Sequence, residues 1–535
     1  MICHDARFFL RLKTKFWNFS ETLLPNGFTA KSFPTLYKKL QRTVSSLFIA
    51  HIHFHIHIHI TSSMDPKSKS KSKPKPKPRT IVVMVPLVAQ GHLNQLLHLA
   101  RRIAAHDIPV HYASTATHVR QAKNRVHCWD PAASANLYFH DVRSPGISNI
   151  QPDPNSGNKF PSQLIPLFKS AIKDLREPVY ELVQALSEGA ERTVVVYDSM
   201  MAYTVQDVAA LPNVEAYCFQ SISAFSLYAF YWEVTGKPDV PEEAAAIKLT
   251  PSSEGAFVPE FAEISSLLIA TPKFQAGEIY NTSRVIEGTY LDLLHKGKIT
   301  GADKQWAMGP FHPLLLKQNT DSKSNNKCLQ WLDEQGADSV IYVSFGSTVS
   351  LSNTEIAELA EGLARSEQKF LWVLRDADKA DIYDGEVRRV QLPEGFEERV
   401  AGRGFIVRDW APQLEILGHE STGGFMSHCG WNSCIESISM GVPIAAWPMH
   451  SDQPRNSVLI TEVLKIGLEV RGWDRREEVV SSEMVEQTVR RLMASKEGDM
   501  LRQRAADIGK AVRKSVMEDG VGRKELASFI QHITR

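Results

Sequence analysis

The chain has 535 residues, 43% of them hydrophobic, which is enough for two or more domains with buried cores. Its formal net charge is +1, from 61 basic and 60 acidic residues, so charge gives no reason to expect a polyanionic partner such as nucleic acid. The six cysteines show neither metal-site spacing nor the density of a disulfide framework. A reducing compartment is therefore favoured, and we expect the protein to be cytoplasmic.

The first 79 residues differ in composition from the rest of the chain. Residues 51–60 alternate histidine with isoleucine or phenylalanine, as a translated simple nucleotide repeat would, and Met64 follows them. We expect residues 1–63 to be upstream sequence; the alternative is a targeting segment. Residues 64–79 are rich in Lys, Ser and Pro and predict a disordered basic tail, because like charges repel and there is no apolar area to bury. Without interleaved aromatic residues it is not expected to bind nucleic acid, and no apolar run suits membrane insertion.

A first series of alternating strands and helices follows this extension. Residues 81–86 are a continuous apolar run, typical of a parallel strand that is buried on both faces. Residues 93–103 repeat apolar side chains every three or four positions, which predicts a helix with one buried face. The remaining runs predict a helix at residues 201–211 and strands at residues 110–113, 193–197 and 215–219. This alternation predicts a doubly wound α/β sheet.

A second series begins with the apolar run at residues 340–345. It predicts helices at residues 353–365, 414–417 and 432–440, and strands at residues 370–374, 404–407, 424–427 and 443–447. Residues 317–327 are polar and aperiodic, which indicates a linker between the two series. We therefore predict an N-terminal domain at residues 80–316, a C-terminal domain at 328–517 and a final helix at 518–535. Two such sheets place the carboxyl ends of their strands across one cleft, where ligands bind in open α/β sheets.

Residues 410–453 concentrate the side chains that a nucleotide sugar requires. Residues 428–433 (HCGWNS) follow a predicted strand and open a helix, whose first N–H groups favour an anion. Glu436 lies one turn later on the same face, where its carboxylate suits two ribose hydroxyls better than phosphate. Trp410 offers a flat indole to a pyrimidine, and Gln413 offers a donor and an acceptor to the base edge. Neither strand–turn–helix contains G-x-G-x-x-G, which argues against a dinucleotide oxidoreductase.

In order and spacing this segment resembles the donor-binding signature of plant UDP-sugar-dependent glycosyltransferases, and the likeness extends over residues 80–535. The resemblance implies an α/β fold of GT-B type, with two Rossmann-like doubly wound domains facing across a cleft and the last helix returning to the N-terminal domain. It implies that Trp410 and Gln413 hold the uracil, with Ala411 between them, and that Glu436 holds the ribose. It also implies that the diphosphate is held by Ser347, His428, Asn432 and Ser433, and the hexose by Trp431, Asp452 and Gln453. A terminal glutamine at Gln453 goes with glucose rather than galactose in that family.

The expected catalytic residues come from the first series. His92 follows the first predicted strand, and Asp198 ends the strand at residues 193–197, so both belong to the carboxyl edge of one sheet. Imidazole titrates near neutrality and can take a hydroxyl proton, and a carboxylate can orient it. The pair resembles the family's His–Asp dyad, which implies a single displacement that inverts the anomeric carbon. UDP-glucose is then a substrate rather than a cofactor, and no metal is expected because no paired-Asp motif adjoins the anion site.

The acceptor is implied by a narrower resemblance. Residues 89–99 (AQGHLNQLLHL), 111–113 and 118–122 are similar to zeatin O-glucosyltransferases, and most of the wider family has proline where this chain has Gln95. The implied acceptor is the side-chain hydroxyl of zeatin, and aromatic residues within 160–168 and 219–232 are expected to line an apolar pocket. The choice among cis-zeatin, trans-zeatin and a flavonoid or phenolic acceptor stays open, because apolar walls separate similar ligands by only about 1–3 kcal/mol. Attack through carbon and a non-catalytic hormone-binding protein are two further alternatives.

Overall fold

Continuous apolar runs in the sequence become strands that are covered on both faces. The computed structural model describes residues 79–126, 129–144, 146–147, 150, 160, 163–314, 326–349, 351–374, 391–408 and 410–535. The predicted N-terminal extension, apart from Arg79, and residues 317–325 of the predicted linker lie outside the described residues.

The first sheet contains seven parallel strands. In chain order they are β1 (Thr80–Val85), β2 (Val110–Ser114), β3 (Leu137–Asp141), β4 (Arg192–Asp198), β5 (Val214–Gln220), β6 (Gly277–Tyr280) and β7 (Gln305–Ala307). They lie side by side in the order β3-β2-β1-β4-β5-β6-β7. The helices of this part are α1 (Gln90–Ala104), α2 (Ala116–Asn124), α3 (Leu164–Asp174), α4 (Arg176–Glu188), α5 (Ala202–Val205), α6 (Ala224–Val234), α7 (Phe261–Ala270) and α8 (Arg284–Lys296).

The second sheet contains six parallel strands. They are β8 (Val340–Ser344), β9 (Lys369–Val373), β10 (Gly404–Val407), β11 (Thr422–Ser427), β12 (Ile444–Ala446) and β13 (Gly467–Glu469), in the order β10-β9-β8-β11-β12-β13. The accompanying helices are α9 (Lys327–Asp333), α10 (Asn353–Ser366), α11 (Phe396–Arg399), α12 (Gln413–Leu417), α13 (Trp431–Met440), α14 (Gln453–Val458), α15 (Ser482–Ala494), α16 (Lys496–Ser515) and α17 (Val521–Ile533). None of the helices in the described ranges is long and apolar enough to cross a membrane.

Strand β1 shows why its sequence has no polar alternation. Val82 and Met84 belong to the hydrophobic cluster on one face of the sheet, whereas Val83 and Val85 belong to the cluster on the other face. Each of these four side chains is at most 1% exposed. A strand buried on both faces is typical of a doubly wound parallel sheet, and the predicted fold of two Rossmann-like sheets is confirmed.

The last helix, α17, packs on the first sheet rather than the second. Phe529 meets Tyr217 and Trp306 edge to face, with ring centroids 5.6 and 5.1 Å apart. Glu525 pairs with Arg284 of α8 at 2.7 Å. The chain therefore crosses from the second half back to the first, which ties the two halves together at their far end.

Some local predictions are wrong. The single helix expected at residues 201–211 is divided into a 3-10 turn, the short α5 and a second 3-10 turn. Thr204 and Val205 are β-branched and favour helix weakly, and the Thr204 hydroxyl donates to the Ile172 carbonyl of α3 at 2.8 Å. Four strands were not predicted from the sequence, namely β3, β6, β7 and β13. They are short or lie near sheet edges, where apolar runs are weak.

The buried carboxyl of Glu278 in the first sheet leads to a prediction about the pH dependence of stability. Glu278 on β6 is 1% exposed, and its oxygens accept hydrogen bonds from Gln220 at 2.8 Å and from Gln275 at 3.1 Å. Burial raises its pKa from 4.5 to about 7, although the two amide hydrogen bonds act in the opposite direction. Because the folded pKa is the higher one, the contribution of Glu278 to stability is fully present below the unfolded pKa and is lost as pH rises through 7.

Glu278→Gln is therefore expected to flatten the pH dependence of unfolding. Urea unfolding at about pH 5.5 and about pH 8.5 should show the wild type losing about 2 kcal/mol more than the variant over this window. Glu263→Gln is the matched control, since contacts with Lys169 and Lys173 hold the pKa of that exposed carboxyl at about 2, below the window. Equal slopes for wild type and Glu278→Gln would contradict the prediction.

Candidate active site

The carboxyl edge of the first sheet holds an imidazole–carboxylate pair. Strands β1 and β4 are neighbours, with Val85 in register with Tyr197, so the turn after β1 lies beside the end of β4. His92 stands in the first turn of α1, and its Nδ1 lies 2.6 Å from Oδ2 of Asp198. The Asp198 side chain is fully buried, and its other oxygen accepts from the Met200 N–H at 3.0 Å. The carboxylate favours the tautomer with the proton on Nδ1, which leaves Nε2 of His92 to accept a proton.

The environment of His92 favours protonation. Burial by itself lowers its pKa, but the charge and hydrogen bond of Asp198, with a smaller contribution from the charge of Asp452, outweigh it and raise the pKa above 6.5. About a quarter of the His92 side chain is exposed, so a substrate can reach it. The raised pKa means that the protonated form of the imidazole is stabilised. A general base requires this stabilisation after it has taken a proton.

Asp198→Asn is expected to lower the pKa of His92, because burial then acts without the opposing charge. Titration of the imidazole by NMR measures this, and the midpoint should fall by about one unit or more. Asp452→Asn serves as the control and should give the smaller shift, because its charge contributes less. An unchanged midpoint in Asp198→Asn would contradict the prediction.

Three of the residues predicted to bind the UDP-sugar contact one another on helices α12 and α13, in the second half of the chain. The amide nitrogen of Gln413, at the start of α12, donates to Oε2 of Glu436 at 2.7 Å and to Oγ of Ser433 at 3.2 Å. Ser433 and Glu436 share one face of α13, one turn apart. Burial raises the pKa of Glu436 to about 7, although the Gln413 hydrogen bond acts in the opposite direction. A carboxylate placed here can accept two hydroxyl hydrogen bonds from one ribose.

The indole of Trp410 contacts the first half of the chain. The guanidinium of Arg125, which follows α2, lies 4.7 Å from the centroid of the Trp410 ring. Nη1 of Arg125 donates to Oε1 of Gln90 at 2.8 Å, so the guanidinium is held from its own side of the cleft. Ala411 beside Trp410 is buried and packs in the core of the second half. The Arg125–Trp410 contact has no signal in the local sequence, because it joins residues from different halves.

His428 is enclosed by two glycines at the end of β11. A Cβ atom at Gly346 would lie 2.6 Å from the His428 ring, and one at Gly430 would lie 2.5 Å from its Nε2. Burial and the nearby His450 lower the pKa of His428 to about 3, so the ring is neutral. Its Nδ1 is buried and has no hydrogen-bond partner among the residues the structure describes. A neutral ring with an unused polar atom, next to the first turn of α13, suits a diphosphate oxygen.

Asn432 brings the two edges together. Its amide nitrogen donates to the Gly91 carbonyl at 2.7 Å, and Gly91 is the residue before His92. A Cβ atom at Gly91 would approach that same nitrogen at 3.2 Å. The predicted base and the predicted diphosphate site are therefore adjacent, and the absence of a side chain at Gly91 allows the approach.

The 449–453 loop holds the remaining predicted residues. Oδ2 of Asp452 accepts a hydrogen bond from the amide nitrogen of Asn456 at 2.8 Å. The side-chain oxygen of Gln453 accepts from the N–H groups of Met449 at 2.9 Å and His450 at 3.0 Å. His450 in turn donates from Nε2 to the Thr348 carbonyl at 2.7 Å, next to the partly exposed Ser347. The loop is thus bonded to the turn after β8, which places Ser347, Asp452 and Gln453 in one region.

Two family models cover this part of the chain. The model described as "Glycosyltransferase, N-terminal domain" matches residues 79–313, and the model described as "UDP-glucoronosyl and UDP-glucosyl transferase" matches residues 275–496. A zeatin O-glucosyltransferase of Phaseolus lunatus is 52% identical over 456 residues, which is 85% of this chain and 97% of that protein. The chain belongs to the UDP-glycosyltransferase family. The family resemblance predicted from residues 410–453 is thereby confirmed.

Two further proteins show how far this UDP-glycosyltransferase resembles others. A zeatin O-xylosyltransferase of Phaseolus vulgaris is 50% identical over 85% of this chain and 98% of its own. A transferase from Siraitia grosvenorii, solved in complex with UDP, superposes with a TM-score of 0.64 and 27% identity, covering 85% of this chain and 100% of that chain. The two proteins therefore share the GT-B arrangement of two facing sheets, and in this chain the shared part runs from β1 to α17.

The hexose contact expected of Trp431 stays a prediction, and the side chain of Trp431 lies inside this transferase. Trp431 is 3% exposed and belongs to a hydrophobic cluster that contains residues of both halves, and its indole donates from Nε1 to the Asn281 carbonyl at 3.0 Å. Only the main chain of Trp431 stands at the start of α13. The Gln453 side chain is also 3% exposed, with its oxygen used by the loop. A large apolar ring at a helix start is drawn into the nearest core, which the local sequence does not reveal.

Proposed function

We propose that this UDP-glycosyltransferase is an inverting O-glucosyltransferase that moves glucose from UDP-glucose to the side-chain hydroxyl of zeatin. The observation that carries the proposal is the Asn432–Gly91 contact, which sets the His92–Asp198 pair against the His428 site across the cleft. A base and a leaving-group site so placed serve one displacement.

The reaction follows from these positions. Nε2 of His92 removes the proton of the acceptor hydroxyl as that oxygen attacks the anomeric carbon, and the imidazolium is stabilised by Asp198. The new C–O bond forms as the bond to the UDP oxygen breaks, so the configuration inverts from α to β. His428 and the first N–H groups of α13 stabilise the charge on the departing diphosphate. The proton on His92 leaves to solvent, which restores the base.

The donor assignment rests on the second half of the chain. Trp410 and Gln413 are proposed to hold uracil, Glu436 the ribose, and Ser347, His428, Asn432 and Ser433 the diphosphate. The UDP bound to the Siraitia grosvenorii transferase supports this donor class. We expect transfer to proceed without an added divalent metal, and assays with EDTA test this directly.

The acceptor assignment rests on similarity. The 52% identity to the Phaseolus lunatus protein supports zeatin as acceptor and glucose as the sugar. The 50% identity to the Phaseolus vulgaris protein favours a second candidate, in which the donor is UDP-xylose and the acceptor is again zeatin. The terminal Gln453 does not separate glucose from xylose, because the family tendency concerns galactose.

One assay tests donor and acceptor together. The full chain is incubated with UDP-glucose or UDP-xylose and with trans-zeatin, cis-zeatin, a flavonol, or isopentenyladenine, which lacks the zeatin hydroxyl. We expect a glucoside with zeatin and none with isopentenyladenine, and NMR of the product identifies the O-linkage and the β configuration. A flavonol product without a zeatin product would overturn the acceptor assignment, and a preference for UDP-xylose would support the second candidate.

A further inference from the structure

A fully buried amide lies between the two halves, close to the proposed sugar site. Asn456 in α14 is 0% exposed. Its nitrogen donates to the Cys429 carbonyl at 2.9 Å and to Oδ2 of Asp452 at 2.8 Å. Its oxygen accepts from the hydroxyls of Ser223 and Ser226, each at 2.8 Å. The two donor and two acceptor positions of the amide are all used.

The four partners come from three separate segments of the chain. Cys429 follows His428 and has a backbone φ of +63°, so its carbonyl belongs to the strained turn that leads into α13. Asp452 precedes Asn456 by four residues and faces the same side of the helix start. Ser223 caps α6 in the first half, where its hydroxyl accepts from the Ser226 N–H at 3.0 Å. The Asn456 side chain therefore connects the turn at Cys429, the carboxylate of Asp452 and the first half of the chain.

The hydrogen bonds decide which way the amide points. A buried amide is costly unless its polar atoms are paired, and the carbonyl and the carboxylate can only accept. The nitrogen must therefore face Cys429 and Asp452, and the oxygen must face the two serines. Burial raises the pKa of Asp452, while the Asn456 hydrogen bond acts in the opposite direction and favours the ionised carboxylate. The bond also fixes Oδ2, which leaves Oδ1 as the oxygen that can meet a substrate hydroxyl.

We propose that Asn456 is a positioning residue for the donor sugar, holding the Asp452 carboxylate in one orientation so that it binds the hexose. This inference rests on the proposed function, and on the prediction from the sequence that Asp452 contacts the hexose of UDP-glucose. UDP has no hexose, so its binding does not depend on that carboxylate. Asn456 therefore adds to the discrimination between UDP-glucose and UDP.

Calorimetric titration of the full chain with UDP-glucose and with UDP tests this without any acceptor. The measured quantity is the ratio of the Kd for UDP-glucose to the Kd for UDP. Asp452→Ala and Asn456→Ala are each expected to raise the ratio about tenfold or more, the effect of one lost hydrogen bond to a charged group. The double variant is expected to raise it no further than Asp452→Ala alone, because both changes remove the same interaction.

Ser226→Ala is the matched control, since it removes one hydrogen bond to the Asn456 oxygen and leaves both contacts of the nitrogen. Its ratio should stay within about twofold of the wild type. Where Asn456→Ala melts too early to titrate, Asn456→Asp keeps the volume and places a second carboxylate beside Asp452, and the ratio should again rise.

The outcomes separate the inference from the proposed function. A wild-type ratio in Asn456→Ala, additive effects in the double variant, or an equal rise in Ser226→Ala would overturn the positioning role while Asp452→Ala still shows its effect. A wild-type chain that does not bind UDP-glucose would instead overturn the proposed function and the inference with it. A wild-type ratio in Asp452→Ala would overturn the inference alone, because the proposed function does not depend on the contact between Asp452 and the hexose.

Discussion

His92→Ala is expected to lower kcat for glucosyl transfer by about 10²–10⁴-fold, the usual contribution of a positioned general base. The variant removes the only group proposed to take the acceptor proton, while the residues around His428 are left in place. The affinity for UDP should therefore stay close to that of the wild type. Steady-state kinetics with zeatin and calorimetry with UDP measure the two quantities on the same preparation.

His106→Ala is the matched control for this variant. His106 lies just beyond the end of the same helix, α1, and is exposed to solvent, so its loss should leave kcat unchanged. Wild-type turnover in His92→Ala would remove His92 from the mechanism. A loss of UDP affinity equal to the loss of turnover would show instead that the substitution disturbs the donor site.

Gly346→Ala is expected to weaken UDP binding by about tenfold or more and also to lower stability, because two separate costs coincide at this position. The backbone of Gly346 has a φ of +73°, where an L side chain costs about 1–2 kcal/mol. The new Cβ atom would also lie 2.6 Å from Cε1 and Nε2 of His428, so the ring must leave its place in the proposed diphosphate site. Calorimetric titration with UDP measures the loss.

Gly402→Ala separates these two costs. Gly402 has a φ of +82°, but a Cβ atom there would meet no atom within 4 Å. This variant should lose stability through backbone strain and keep its affinity for UDP. Equal UDP affinities for the two variants would show that the ring of His428 does not depend on the space above Gly346.

The contacts among some of the proposed donor residues were predictable, because these residues are close in sequence. Gln413, Ser433 and Glu436 lie within one short segment, and helical periodicity alone places the last two on a common face. Helical periodicity gives the position of Trp431 at the start of the same helix, but it does not show which core is near enough to bury the indole. The indole is bound to the Asn281 carbonyl of the other half, a contact that no local pattern encodes.

The sequence by itself determined the strands that are apolar throughout, the two parallel sheets and the family, because continuous burial and a dense motif leave direct marks in the order of residues. Only the tertiary structure decided that Asp198 reaches His92 at 2.6 Å, that Arg125 covers Trp410, and that Asn456 joins Asp452 to two serines of the other half. These contacts link residues that are far apart along the chain. Their geometry depends on how two separately formed sheets meet, which is set by packing at the cleft and not by local propensity.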